Sequence, residues 1–311
     1  MTCDKALTMK GKVLITGGTG MLGVHLTHIL LDKGYVVEHL SRSRNSKTGV
    51  KTWAWDLEAG TLEEGALDGV TDIIHLAGAG IADKKWTASR KKVLIDSRVE
   101  GPKLLKAKLE EKGMQLRSFI SASGVNYYGS VTTGKTFVED DPAGTDFTGE
   151  CCVYWEDAAD LFADIARVVK IRIGVVLMMQ GGALPRLAQP IRYGIGSRLA
   201  SGKQIVPWIH LEDVCQVLAY ALENEQMTGA YNAVASEVSS NADLTKAVAK
   251  QLKKPLWAPP VPAFVLKLLF GEMASLVLNG SAISNQKLLD AGFELKFNTL
   301  ASALQDLMPR K

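Results

Sequence analysis

Residues 12–23, Lys-Val-Leu-Ile-Thr-Gly-Gly-Thr-Gly-Met-Leu-Gly, constrain the fold more than any other stretch of this chain. Val13, Leu14 and Ile15 form a short apolar run ending in glycines, the pattern of a buried parallel strand feeding a tight turn. Gly17, Gly20 and Gly23 fall three apart, and Leu22, Leu26, Ile29 and Leu30 continue at helical spacing. In a dinucleotide site each glycine has a task. Gly17 permits the turn, Gly20 lets backbone N–H groups reach a pyrophosphate, and Gly23 lets helix and strand pack closely. The helix N-terminus adds a positive dipole end. A glycine pattern alone is weak, but here a strand precedes, a helix follows, and a second strand comes about 20 residues on.

That second strand, 36–40, ends in Ser41-Arg42-Ser43-Arg44. An NAD enzyme usually places a carboxylate there for the ribose 2′-OH. A hydroxyl and a guanidinium suit a 2′-phosphate instead, so NADP is the expected cofactor; the alternative is a solvated basic loop. A third strand, 51–55, closes on Asp56-Leu57, where Asp56 either accepts from the adenine amino group or caps a turn. Strands are expected at 72–78, within 118–124 (a strand and its exit loop) and at 170–177, with helices at 86–113 and 150–168 between them. Ala77-Gly78 is small enough for backbone to approach the cofactor. The alternation means an α/β, Rossmann-type, doubly wound parallel sheet with its ligand at the carboxyl ends of the strands. Beyond Leu177 the rhythm changes: an extended segment at 205–210, a helix at 211–223, a strand at 229–234, then helices at 241–252, 263–278 and 300–307. The expected division is a Rossmann domain over 1–177, to which 204–235 returns, and a smaller substrate domain of 178–203 and 236–311.

A net charge of +3 over 311 residues argues against nucleic acid or an anionic membrane as partner. Cys3, Cys151, Cys152 and Cys215 form no C-x-x-C pair, and the five histidines are scattered, so no metal site is expected. Cys151-Cys152 reads as two small buried residues on a helix. Residues 1–9 are polar and lack the apolar core of a signal peptide. The apolar stretch 261–278 contains Lys267 and Glu272, which suits a buried or amphipathic helix rather than a membrane span. A cytoplasmic monomer or homodimer acting on a small molecule is the expectation.

The segments Gly17-x-x-Gly20-x-x-Gly23, His75-Leu-Ala-Gly78, Ser121-Ala-Ser-Gly-Val-x-Tyr-Tyr-Gly129, Trp155-Glu-x-Ala-Ala159 and Trp208-Ile-His-Leu-Glu-Asp213 together resemble the extended short-chain dehydrogenase/reductase superfamily, most closely its atypical epimerase-family branch. The resemblance implies a Rossmann domain, a small C-terminal substrate domain and bound NADP. The cofactor shell it implies is Gly17, Thr19, Gly20, Met21, Leu22, Ser41, Arg42, Leu76, Ala77, Arg98 and Leu177; the reading of the residues adds Gly23, Asp56, Leu57 and Gly78. At Arg98 extended members commonly place an asparagine of the proton relay. A guanidinium does not release its proton there, so it is expected to anchor a cofactor phosphate or a carboxylate; the alternative is a surface ion pair with Glu100.

The chain departs from the superfamily at its chemistry. The usual acid/base is a tyrosine with lysine four residues on, yet none of the seven tyrosines here is followed so. Aligned on Glu156, those positions hold Thr148 and Cys152. The usual serine falls on Gly124, with Ser123 beside it. Substitutes named by the sequence are Ser123, Tyr127 and Glu156, the last beside Trp155 where an aromatic neighbour raises a carboxyl's pKa; a structural ion pair is the alternative for Glu156. His210 is a further histidine that could face the crevice. Two functions remain open: an NADP-dependent oxidoreductase or epimerase acting on a small polar, sugar-like substrate, and a catalytically inactive NADP-binding sensor or interaction protein.

Overall fold

The computed structural model describes residues 10–44 and 48–309; the polar residues 1–9, with Cys3, lie outside them. The strands are, in order, β1 (Lys12–Thr16), β2 (Val36–Ser41), β3 (Thr52–Asp56), β4 (Thr61–Leu62), β5 (Asp72–His75) and β6 (Ser118–Gly124). They continue with β7 (Thr136–Phe137), β8 (Arg167–Ile173), β9 (Val175–Leu177), β10 (Trp208–His210), β11 (Gly229–Ala233) and β12 (Ala282–Ile283). Between them run α1 (Met21–Asp32), α2 (Ala88–Glu111), α3 (Phe147–Asp160), α4 (Ala183–Arg192) and α5 (Leu211–Glu223). The last helices are α6 (Asn241–Leu252), α7 (Ala263–Phe270), α8 (Ser275–Leu278), α9 (Gln286–Asp290) and α10 (Leu300–Leu307).

The main sheet has the order β11-β8-β6-β5-β1-β2-β3-β4 and is parallel except for β4, which pairs antiparallel with β3. Alternation along β1 decides its two faces. Val13 and Ile15 pack with Leu26 and Leu30 of α1 and Val214, Val217 and Leu218 of α5. Leu14 packs the other way, with Ile73, Phe119, and Leu105 and Leu109 of α2. Burying a leucine or isoleucine of this kind contributes about 1.5–3 kcal/mol. The chain runs outward from β1 through β2 and β3, then returns to β5 on the other side of β1. The switch point between β1 and β5 opens the crevice where such sheets bind ligands.

Several elements differ from their sequence reading; the strand expected over 72–78 ends at His75, and the extended segment 205–210 is strand only from Trp208. The helix expected over 150–168 starts earlier, because Asp146 caps it by accepting from Gly149 N at 2.9 Å, and it ends at Asp160. Arg167 and Val168 already belong to β8. The strand expected over 170–177 breaks at Gly174. A Cβ there would sit 2.6 Å from the Pro207 carbonyl oxygen, so only glycine lets the chain cross. Beyond it β9 pairs with β10 in a separate sheet. The apolar stretch 261–278 is not one helix either: Gly271, at φ 61°, ends α7. Among the described residues no helix is long and apolar enough to cross a membrane.

After β9, helices α4, α6 and α10 form a separate core, with Leu184, Val248 and Leu304 around Trp208, whereas α5 and α9 pack into the core of the main sheet. The strand β11 rejoins the main sheet beside β8. A cavity of about 560 Å³ lined by Lys10, Tyr35, Arg117 and Arg167 opens at the amino-terminal edge of the sheet, opposite the crevice.

Candidate functional site

The glycine turn is built as its spacing requires. Gly17 has φ 71°, and a Cβ on it would lie 2.9 Å from Ala77 N, so glycine here lets the β1 turn touch the end of β5. Leu76 N donates to Thr16 O (3.1 Å), and Ala77 N to Thr16 Oγ1 (3.3 Å), fastening the two strand ends. Gly20 is the N-cap of α1, with no side-chain cap and no acidic residue in the first turn. A Cβ on Gly20 would meet only Gly17 O, at 3.1 Å, which leaves its other side open. The uncapped N–H groups and that open side suit a pyrophosphate. Gly23 packs against the turn rather than the strand: a Cβ there would fall 2.5 Å from Gly18 Cα and 2.7 Å from Gly17 O. Gly23→Ala is therefore expected to cost about 1–3 kcal/mol in a denaturant titration. An unchanged midpoint would mean that α1 is free to shift, contrary to this packing.

Gly18 has a task the sequence reading missed. The buried His39 ring lies under it, and a Cβ would come within 2.3 Å of that ring. At the end of β2, Ser41 is half-buried and Arg42 exposed. Arg44 is taken by Glu63 at 2.8 Å, whereas Arg42 meets no carboxylate among the described residues. Thr19 and Leu22 are half-buried, and Met21 is exposed beside Gly181. Asp56 has the turn role: its Oδ1 accepts from Glu58 N (2.9 Å) and Ala59 N (3.0 Å). Leu57 packs into the core on the α2 side. Leu177 is fully buried against the α4 core, so its backbone alone could reach a ligand.

Arg98 is not on the surface. Glu100 pairs with Lys103 instead, and Arg98 is buried on the inward stripe Leu94-Arg98-Gly101-Leu105-Leu109 of α2. Its guanidinium lies 4.6 Å from the centre of the Trp155 ring, donates to Leu94 O at 2.8 Å, and backs onto Gly78. Burial lowers its pKa, with the Cys151 and Cys152 thiols opposing. That helical spacing was the available signal for its inward placement.

The three substitute groups come together around a residue the sequence reading had not singled out. Arg172 of β8 grips Glu156 with both Nε to Oε1 (2.8 Å) and Nη2 to Oε2 (2.9 Å), and both side chains are buried. Ser123 Oγ donates to Glu156 Oε1 at 2.8 Å. Arg172 Nη1 donates to Tyr128 Oη and to Glu139 O, each at 2.9 Å. Tyr128 in turn donates to Asn232 Oδ1 (2.8 Å), and burial pushes its phenol up to about 12. The half-buried Tyr127 ring lies on the Arg172 guanidinium at 3.4 Å. Glu156 does not face Trp155, because neighbours in sequence point apart on a helix; Trp155 turns to Arg98 and Glu156 to Arg172. Thr148 bonds Asp146 Oδ1 (2.7 Å) and Ser130 (3.1 Å). Burial pushes the Cys152 thiol up to about 12.

His210 has a charged neighbour after all, with Nε2 3.2 Å from Asp306 Oδ2. Its Nδ1 accepts from Glu212 N at 3.0 Å and its ring lies on Phe297, which makes it the cap of α5. No group of three or more His, Cys, Asp or Glu able to hold a metal occurs among the described residues. Two contacts join the later helices to α2 and the segment before it: Lys91 Nζ of α2 reaches Glu272, just after α7, at 2.6 Å, and Arg186 of α4 donates to Ala82 O at 3.4 Å.

Comparison with known proteins agrees with this geometry. The model of the NAD dependent epimerase/dehydratase family matches residues 13–233, and a domain of unknown function, DUF1731, matches 261–307. Mouse epimerase family protein SDR39U1 is 34% identical over 301 residues, covering 96% of this chain and 99% of the relative. Epimerase family protein YfhF of Bacillus subtilis is 32% identical over 299 residues, 95% of this chain and 97% of that protein. The crystal structure of human SDR39U1 (isoform 2) with NADPH superposes with a TM-score of 0.87 at 31% identity, covering 96% of this chain and 100% of that one. The shared turn, sheet order and chain-long identity lead to one conclusion: the chain belongs to the NAD dependent epimerase/dehydratase family.

Proposed function

We propose that the protein is an NADP(H)-dependent oxidoreductase or epimerase of the extended short-chain type, acting on a small polar, sugar-like substrate. The observation that carries the cofactor reading is the open glycine turn with an unpaired Arg42 at the end of β2, where a 2′-phosphate would sit. The NADPH in the human relative's crystal structure supports it. So, for the substrate, does the likeness to a nucleoside-diphosphate sugar epimerase from Corynebacterium glutamicum, at 28% identity and a TM-score of 0.78. The same reading divides the chain into a cofactor domain of 1–177 with 204–235 and a substrate domain of 178–203 with 236–311. It places Gly17–Gly23, Ser41, Arg42, Leu76–Gly78 and Arg98 around the cofactor.

A bound NADPH supplies the hydride. The chain's part is to move a proton, and the phenol available for that at the end of β6 is Tyr127, held flat on Arg172. Ser123 and Glu156 are occupied by each other and by Arg172, which makes them positioning residues. Thr148 and Cys152, where a tyrosine and a lysine commonly stand, favour the second reading, a binding protein without turnover.

Titration with NADPH and NADH, followed by nicotinamide fluorescence, tests the first part. NADPH is expected to bind more tightly, and Arg42→Glu to weaken NADPH by about tenfold to a hundredfold, the loss of a charge-assisted contact, while NADH changes little. Equal binding of both nucleotides would refute the assignment of Arg42. NADPH oxidation across carbonyl and nucleotide-sugar compounds tests the second part. An activity lost in Tyr127→Phe is the expected outcome; no turnover, with cofactor bound, would leave the sensor reading.

A further inference from the structure

We propose that the face formed by residues 192–203 and 251–270 docks on an anionic lipid bilayer surface. The two segments are tied together at their middles: Leu199 and Val261 form a bridge, Ala200 N donates to Val261 O (2.9 Å), and Ser197 Oγ donates to Pro259 O (2.6 Å). Together they carry Arg192, Arg198, Lys203, Lys253, Lys254 and Lys267, and no aspartate or glutamate. All six cations are exposed and none makes an ion pair among the described residues. This differs from α2, where Lys91, Lys92, Lys103, Lys106 and Lys108 all meet carboxylates. Because the whole chain is only +3, the rest of it is net negative, and the basic face is segregated. Two acids beside it are engaged: Glu272, two residues past Phe270, is held by Lys91, and Asp243, next to the Ala242 that abuts Gly202, closes the capping box of α6 with Ser240.

The same two segments hold seven of the fifteen exposed large hydrophobics, among them Tyr193 at 76%, Trp257 at 70%, Phe264 at 71% and Leu268 at 78% exposure. Singly exposed apolar residues need no explanation, but a cluster of them does. Aromatic rings and leucines beside unpaired lysines are what the boundary of a bilayer takes up, with ring and methyl groups sunk in and the cationic heads at the headgroups. A second copy of this chain is the poorer occupant, since a two-fold contact sets the patch against itself and brings like charges together. The contact is peripheral, because no described helix can cross a membrane.

The test is sedimentation of the full chain with vesicles of phosphatidylcholine alone or mixed with phosphatidylglycerol, at increasing salt. Binding to the mixed vesicles only, released by salt, is expected. Each lysine near an anionic surface contributes about fivefold (~1 kcal/mol), so Lys253→Gln with Lys254→Gln should weaken binding about thirtyfold. Phe264→Ser with Leu268→Ser should abolish it with the thermal midpoint unchanged. No binding to mixed vesicles, or equal binding by these variants, would overturn the proposal. So would a lipid-independent dimer in sedimentation velocity that the Phe264→Ser, Leu268→Ser variant loses.

Discussion

Arg172→Met is expected to cost about 3–5 kcal/mol of folding stability, the price of leaving a buried carboxylate without its partner. In the intact chain both Glu156 oxygens face Arg172, and the two side chains are 6% and 4% exposed. Without the guanidinium only Ser123 Oγ still donates to Glu156. Tyr128 and the Glu139 carbonyl lose a donor at the same time, and Tyr127 loses the surface its ring lies on. Removing both charges, Arg172→Met with Glu156→Leu, should recover most of the loss, because a buried pair replaced by apolar groups is often neutral. Urea denaturation of the two single variants and the double variant gives the coupling directly. A loss below about 1 kcal/mol for Arg172→Met would place the pair in water and remove the network as the support of Tyr127.

Acid should destabilise the fold through two histidines. His39 and His75 are fully buried, and burial lowers both from the usual 6.5 to about 4. Each ring has one partner: Thr27 Oγ1 lies 2.7 Å from His39 Nε2, and Thr16 Oγ1 lies 2.7 Å from His75 Nδ1. His39 Nδ1 is buried without a hydrogen-bond partner, so a protonated ring would carry an unmet N–H into the core, and a charged His75 would lie against the buried Arg98 cation. As pH falls below about 6.5 the unfolded chain takes up protons that the folded chain refuses until about pH 4. Stability is therefore whole at neutral pH and declines through that window, by about 3 kcal/mol for each ring. Denaturant midpoints between pH 7 and 5 should fall accordingly, with a shallower slope in His75→Asn. Imidazole proton resonances of His39 and His75 that titrate near pH 6.5 in the folded protein would sink the claim.

Local patterns in the chain were enough for the frame. Helices 211–223, 241–252 and 300–307 have the bounds that periodicity indicates. The glycine turn could be read because Gly20 and Gly23 answer backbone demands made within the turn itself, although Gly17 and Gly18 also make room for Ala77 and His39, far along the chain. The break at Gly174 could not, since the reason for it, the Pro207 carbonyl, is more than thirty positions away. Arg98 was legible in principle: its spacing from Leu94, Leu105 and Leu109 places it on the buried stripe. Arg172 was hidden inside an apolar run, where a cation on a central strand has no local explanation.

By itself, then, the sequence determined the sheet-and-helix alternation, the turn at Gly17–Gly23 and the absence of a carboxylate after β2, all demands of short-range geometry. The tertiary structure alone decided which charges meet. It joined Glu156 to Arg172 across sixteen residues and gave His210 an acidic neighbour in α10. It also tied the basic segments 192–203 and 251–270 together through Leu199 and Val261, a grouping that a net charge of +3 had concealed. Charges act through space, and distance in space is what a linear order of residues leaves open.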